Sequence, residues 1–409
     1  MDFPISTSDK DHVNAPLTFL TRLECSVCRT PHPAAEIQTV CRKCGKALLA
    51  RYDLASARRT FTREGMKEGE YSMWRYAPVL PVGEQRNIVS LGERVTPLIP
   101  LRTMFSNFSA GKVLMKDEGL LPTGSFKARG LAMAISRAKE LGISSICLPS
   151  AGNAGGAAAA YASRAGMHSW IYMPKDTPEI NIEECIAYGA HITLVQGNIS
   201  DAAKAMNEDR KKHPEWFDVS TLKEPYRLEG KKTMAYELAE QLGWKLPDWI
   251  VYPTGGGTGL IGMWKGFEEM EELGWIGRER PKMVSVQAAG CAPIARAFVA
   301  HRGDSESWEH AETIASGLRV PKAFADHLIL TAIYASGGVA LSVSDEEIRA
   351  AVSEIAKKEG LFISPEGAAT VAALAHLAEE RLTKETDLVV LFNTATGLKY
   401  PELIGDPRP

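Results

Sequence analysis

The chain has 409 residues, 45% apolar and 24% charged, proportions of a soluble globular protein that exclude a long disordered region and allow two buried cores plus an appendage. Its 47 Lys and Arg against 50 Asp and Glu leave a formal charge of −3, with no bias toward nucleic acid or an anionic membrane, so a small-molecule partner is expected. The opening residues lack a basic start followed by an apolar core, and no run of about 20 apolar residues can span a bilayer. A cytoplasmic protein without nucleic acid or membrane as partner is the expectation.

Residues 1–84 read as an N-terminal extension. Within it, residues 20–52 form a turn-rich unit: LECSVC, a polar connection, then VCRKCGKALLARYDL. Each CxxC pair turns two thiolates toward one tetrahedral ion, so Cys25, Cys28, Cys41 and Cys44 are candidate ligands of a structural zinc in a zinc-ribbon-like unit. The gap of twelve residues between the pairs is slightly short for a ribbon, and the alternative is an empty knuckle that keeps its cysteines. Cys147, Cys185 and Cys291 stand alone in apolar surroundings, which argues against a disulfide framework.

From about residue 85, short runs of Val, Ile and Leu alternate with longer helical patterns, the signature of an α/β chain with a parallel sheet and helices on both faces. Strands are predicted at 111–118, 144–150, 168–174, 191–197, 249–255, 282–290 and 387–395, and a tightly packed helix at 154–165. Several of these strands run directly into Gly, Ser or Thr. Ligands of open α/β sheets bind beyond the carboxyl ends of the strands, so the chemistry is expected at those tips.

Four segments carry it. In LPTGSFKARG (121–130) a Pro-Thr-Gly turn leads into a helix, which places Lys127 in the first turn. The positive end of the helix dipole disfavours an ammonium there and lowers its pKa, as suits a lysine that forms an imine. The alternative is an ordinary solvated lysine. SAGNAGG (150–156) follows a strand and opens a helix, presenting free amides and the Asn153 side chain to an anion, unless it is only a turn for close helix packing. PTGGGTGLIG (253–262) can fold its amides around a phosphate, but lacks the Lys-Ser or Lys-Thr pair of a Walker loop and the spacing of a dinucleotide fingerprint. The last strand runs into Asn393, Thr394, Thr396 and Gly397, where a hydroxyl can meet a neutral pyridine nitrogen or simply hold a turn.

GSFKARG, SAGNAGG, PTGGGTG and NTATG occur in the order and approximate spacing of fold type II pyridoxal phosphate enzymes, the tryptophan synthase β-like group, over roughly residues 85–400. Within that group the chain resembles threonine synthases, some of which carry N-terminal cysteine knuckles and which share an RLEGQKT region resembling YRLEGKKTMAYELAEQLGW at 226–244. The resemblance implies two open, twisted, mostly parallel sheet domains with helices on both faces: a large cofactor domain of residues 85–124 and 223–409 and a small domain of 125–222. It implies pyridoxal 5'-phosphate held by Lys127 as a Schiff base, with Phe126 near the pyridine ring and Asn153 on the 3'-oxygen. Gly255, Gly256, Gly257, Thr258 and Gly259 would bind the cofactor phosphate and Thr396 the ring nitrogen. Ser150, Ala151, Gly152 and Ala154 would frame a substrate carboxylate, and Arg227 a substrate anion.

The implied reaction is that of a carbon–oxygen lyase, turning O-phospho-L-homoserine and water into L-threonine and phosphate, in a homodimer. This chain departs from many threonine synthases in having no Asn in the phosphate loop and DVSTLKEPY before Arg227, although Ser220, Thr221 and Lys223 can serve an anion. A threonine or serine ammonia-lyase, which needs no second phosphate site, is the rival reading. Another β-elimination or β-replacement enzyme and a non-catalytic cofactor-binding relative are further alternatives. Glu366 in SPEGAAT lies near the active site if it follows relatives, or is a helix-start carboxylate.

Overall fold

The computed structural model describes residues 17–105 and 111–403. Three sheets organise them. The N-terminal unit is a three-stranded antiparallel sheet of Pro31–His32, Leu20–Cys25 and Leu48–Tyr52, in that order across the sheet, with the two CxxC turns at its end. A six-stranded sheet runs Val339–Val343, Lys282–Ala288, Trp249–Pro253, Leu388–Asn393, Lys112–Asp117, Leu98–Pro100. Every neighbouring pair in it is parallel except the last. A four-stranded parallel sheet runs His191–Val195, His168–Pro174, Ser145–Pro149, Phe217–Asp218.

The seven strands expected from apolar runs are all present, each ending at or just before the predicted tip. Leu98–Pro100, Phe217–Asp218 and Val339–Val343 were not anticipated, being too short or too mixed in polarity to stand out. In the six-stranded sheet the side chains alternate between two cores. Ile250, Tyr252, Val390 and Phe392 face one core; Trp249, Val251, Val389 and Leu391 face the other. With both faces covered, the central strands are mostly apolar on both sides, as expected of a parallel sheet.

Helix Tyr226–Gln241 has the composition of a surface helix, with Arg227, Glu229, Lys231, Lys232 and Glu237, yet every residue from Tyr226 to Ala239 is buried. Pairing makes this tolerable: Lys232 and Lys265 share Glu229 and Glu269, and Glu237 takes both Arg129 and Lys116. The helix is wedged between Lys127–Glu140 and Thr258–Glu272, and glycines let the backbones touch. A Cβ on Gly230 would lie 2.0 Å from the Arg129 carbonyl oxygen, and one on Gly266 would lie 2.9 Å from Ala235 Cβ.

Gly230→Ala is therefore expected to destabilise the protein by about 1–3 kcal/mol, because overpacking against backbone outweighs the roughly 1 kcal/mol of helix propensity gained. Chemical denaturation of the two proteins checks the sign, and a neutral or stabilising substitution would show that these helices can separate freely.

Candidate active site

The carboxyl ends of strands from both parallel sheets open on one cavity of about 330 Å³. Six helices also begin at its wall, with Lys127, Asn153, Ile199, Thr258 and, in their first turns, Arg227 and Glu366 among the lining residues. The first amides of a helix have no intrahelical partner, and the aligned peptide dipoles favour negative charge, so the cavity is built to receive anions.

Lys127 opens its helix directly after Phe126 and is held over the Phe126 ring, its Nζ 4.0 Å from the centroid. Burial pushes its pKa down to about 7; the Arg227 guanidinium and Lys399 push the same way, and Glu366 opposes them. The helix dipole expected from the sequence acts in the same direction, but burial is the largest cause. An amine in this state is substantially unprotonated near neutrality, which a nucleophile or a base requires.

Gly255, Gly256, Gly257, Thr258 and Gly259 wrap one end of the cavity. Gly257 caps the helix in the left-handed region, at φ 77°. Side chains have no room here: a Cβ on Gly255 would meet the Gly317 carbonyl at 2.3 Å, and one on Gly256 the Thr221 methyl at 2.8 Å. Ser150, Ala151, Gly152, Asn153 and Ala154 line the same cavity. The Ser150 hydroxyl pins this loop, donating to the Gly152 carbonyl at 2.8 Å and accepting from Gly155 N at 2.9 Å. Arg227 is buried at the wall, donating to the Val219 carbonyl at 2.7 Å and leaving its Nε without a hydrogen-bond partner. Ser220, Thr221 and Lys223 line the same side.

One expected residue is displaced. Thr396 does not line the cavity; its hydroxyl accepts from Leu398 N at 3.3 Å and caps a short turn. Thr394, two residues earlier at the strand tip, is buried and lines it. The sequence offers both hydroxyls, and only the exit angle of the chain from the sheet selects between them. The segment Ser316–Phe324, Tyr252 and the buried Tyr400 behind Asn153 were not anticipated, since none belongs to a motif. Glu366 does reach the cavity, accepting from Gly317 N at 2.7 Å.

Apart from this cavity, the sulfurs of Cys25, Cys28, Cys41 and Cys44 lie within 4.8 Å of one another, with pairs at 3.3, 3.5 and 3.6 Å. Four thiolates at about 2.3 Å from one tetrahedral ion would be separated by about 3.8 Å, so the set fits zinc. Val27 N and Cys28 N approach Cys25 Sγ, and Lys43 N approaches Cys41 Sγ, in the manner of two knuckle turns.

The profile of the family described as pyridoxal-phosphate dependent enzyme matches residues 89–395. A threonine synthase of Methanocaldococcus jannaschii is 35% identical over 379 residues, 92% of this chain and 93% of the relative. One from Methanosarcina acetivorans is 34% identical over 385 residues, 94% and 93% of the two chains. Among solved structures, maize serine racemase superposes with a TM-score of 0.65 at 20% identity, over 74% of this chain and 88% of its own.

The depressed Lys127 amine gives a pH signature. Its reductive alkylation by a small aldehyde, read by peptide mass spectrometry, is expected to rise up to about pH 7 to 8 and then level off, whereas exposed lysines keep gaining reactivity toward pH 10. A Lys127 profile matching the exposed lysines would refute the buried, neutral state.

Proposed function

This chain belongs to the pyridoxal-phosphate dependent enzymes and, among them, to the threonine synthases, and on that premise we propose that its cavity converts O-phospho-L-homoserine and water into L-threonine and phosphate at Lys127. The observation that carries the reading is the buried amine of Lys127 in one cavity with two anion-receptive groups, the glycine amides and the Arg227 and Lys223 side chains. A lyase acting on threonine or serine has no use for the second.

The residues present fit the cofactor. A cradle of glycines where any added side chain would clash with its surroundings suits a phosphate monoester, and the Asn153 Oδ1 is buried without a protein partner. Lys127 would anchor pyridoxal phosphate covalently, Gly255 to Gly259 with Thr258 would hold its phosphate, Asn153 its 3'-oxygen, and Phe126 would pack by the ring. Thr394 replaces Thr396 as the proposed partner of the ring nitrogen. When bound, the cofactor supplies the electron sink that makes the substrate's Cα and Cβ protons acidic.

Ser150, Ala151, Gly152 and Ala154 orient the substrate carboxylate through their amides. Arg227 and Lys223, with Ser220 and Thr221, hold the substrate phosphate as its bond to Cγ breaks. Lys127 Nζ, released by the incoming amine, takes the Cα proton and then serves the proton removal at Cβ. One water must add at Cβ while others are kept out, a task assigned to the walls closing as the two sheet units approach. We assign residues 85–124 and 223–409 to the large domain, 125–222 to the small one, a zinc ion to the four cysteines, and a cytoplasmic homodimer to the assembly.

Purified protein given O-phospho-L-homoserine is expected to release phosphate and threonine in equal amounts, and Lys127→Ala to release neither. Keto acid from threonine or serine with phosphohomoserine untouched would move the protein to the ammonia-lyases. Elemental analysis is expected to find one zinc per chain, lost in a Cys41→Ser, Cys44→Ser double variant; metal-free protein from zinc-replete cells would leave the knuckle empty.

A further inference from the structure

Behind the cavity wall, Tyr400 is 2% exposed, and its hydroxyl touches Asn153, Glu366 and Ser316, which face the cavity. It accepts from Asn153 Nδ2 at 3.1 Å and donates to Glu366 Oε1 at 3.0 Å. That Glu366 oxygen also accepts from Gly317 N, whose own carbonyl backs the glycine at position 255. The outer atoms of the chain, Asn153 Oδ1 and Glu366 Oε2, are buried and have no protein partner.

The directions of these bonds are forced. A phenol has one proton, and a carboxylate accepts only, so the proton goes to Glu366 and the phenol oxygen is left to accept. Asn153 must then turn its NH₂ edge toward Tyr400. Burial and the neighbouring Glu366 charge hold the phenol far above its ordinary pKa, which keeps that proton in place. Tyr400 lies seven residues beyond strand Leu388–Asn393 of the six-stranded sheet and Asn153 opens the helix after Ser145–Pro149 of the four-stranded sheet, so the contact also joins segments that follow different sheets.

We propose that Tyr400 is a positioning residue that fixes the Asn153 amide and the Glu366 carboxylate in single orientations before any ligand arrives, so that the polar edge offered to the cofactor is preformed. The inference rests on the cofactor reading above. It predicts coupling between residues that do not touch one another except through this hydroxyl.

The test is pyridoxal phosphate release from the full-length holoenzyme, with the visible absorption of the bound cofactor recorded in parallel. Tyr400→Phe keeps the ring and removes the bridge. Losing one hydrogen bond to a neutral partner and one to a charged one is expected to weaken cofactor retention by about tenfold and to shift the absorption maximum. Asn153→Ala is expected to do the same, and the double variant to lose no more than Asn153→Ala alone. Additive losses, or a Tyr400→Phe protein with wild-type retention and spectrum, would overturn the proposal. If Tyr400→Phe does not fold, Glu366→Gln serves instead: it should shift the spectrum and be non-additive with Asn153→Ala, and an unchanged spectrum would refute the bridge. Wild-type protein that retains no pyridoxal phosphate defeats the cofactor reading itself, whereas retention with additive variants defeats only the role of Tyr400.

Discussion

The close approach of three helices is the constraint on which the site depends. Tyr226–Gln241 lies against Lys127–Glu140 on one side and Thr258–Glu272 on the other, at distances that only Gly130, Gly230, Gly262 and Gly266 permit. Because Lys127, Arg227 and Thr258 are at or next to the first residues of these helices, packing the three together brings their N-termini to one wall. The amine, the guanidinium and the glycine-loop amides therefore share one cavity as a result of backbone contact, not of side-chain reach.

That packing has an electrostatic cost. A helix buried over its first fourteen residues takes five charged side chains out of water; Glu229, Lys232 and Glu237 are ion-paired within the core, and Arg227 donates to the Val219 carbonyl. The Lys231 amine reaches the Phe126 carbonyl and lies 3.4 Å from the Phe126 ring centroid, and burial drives its pKa far down. That contact supports the residue next to Lys127. Burial thus acts on both lysines in the same sense, and Lys127 keeps a usable pKa because Glu366 partly compensates.

The knuckle unit is joined to the same framework. Tyr52 donates to Glu229 at 2.9 Å, Arg137 to the Ala34 carbonyl at 2.5 Å, and Ser26 lies 3.4 Å from His327. Three helices around the active site are thereby touched by one small sheet, whose own core is too small to be self-sufficient without a crosslink or a metal. The cysteines sit where a crosslink would stiffen that brace.

Legible in the residues alone were the α/β class, the seven principal strands, a helix with Lys127 in its first turn and the glycine loop before Thr258. These depend on local rules: apolar runs mark buried strands, and small residues after a strand mark a tip. The cysteine quartet was legible too, since a metal knuckle is a local turn. What only the tertiary structure decided were the features set by angle and proximity. Thr394 rather than Thr396 lines the cavity because of the way the last strand leaves the sheet, and a hydroxyl two residues away reads the same in sequence. Tyr400 meets Asn153 from a position 247 residues distant, and a contact at that separation leaves no periodicity to find. The burial of Tyr226–Gln241 was hidden for the same reason: its charges are satisfied by partners on other helices, so its own composition describes a surface that folding removes.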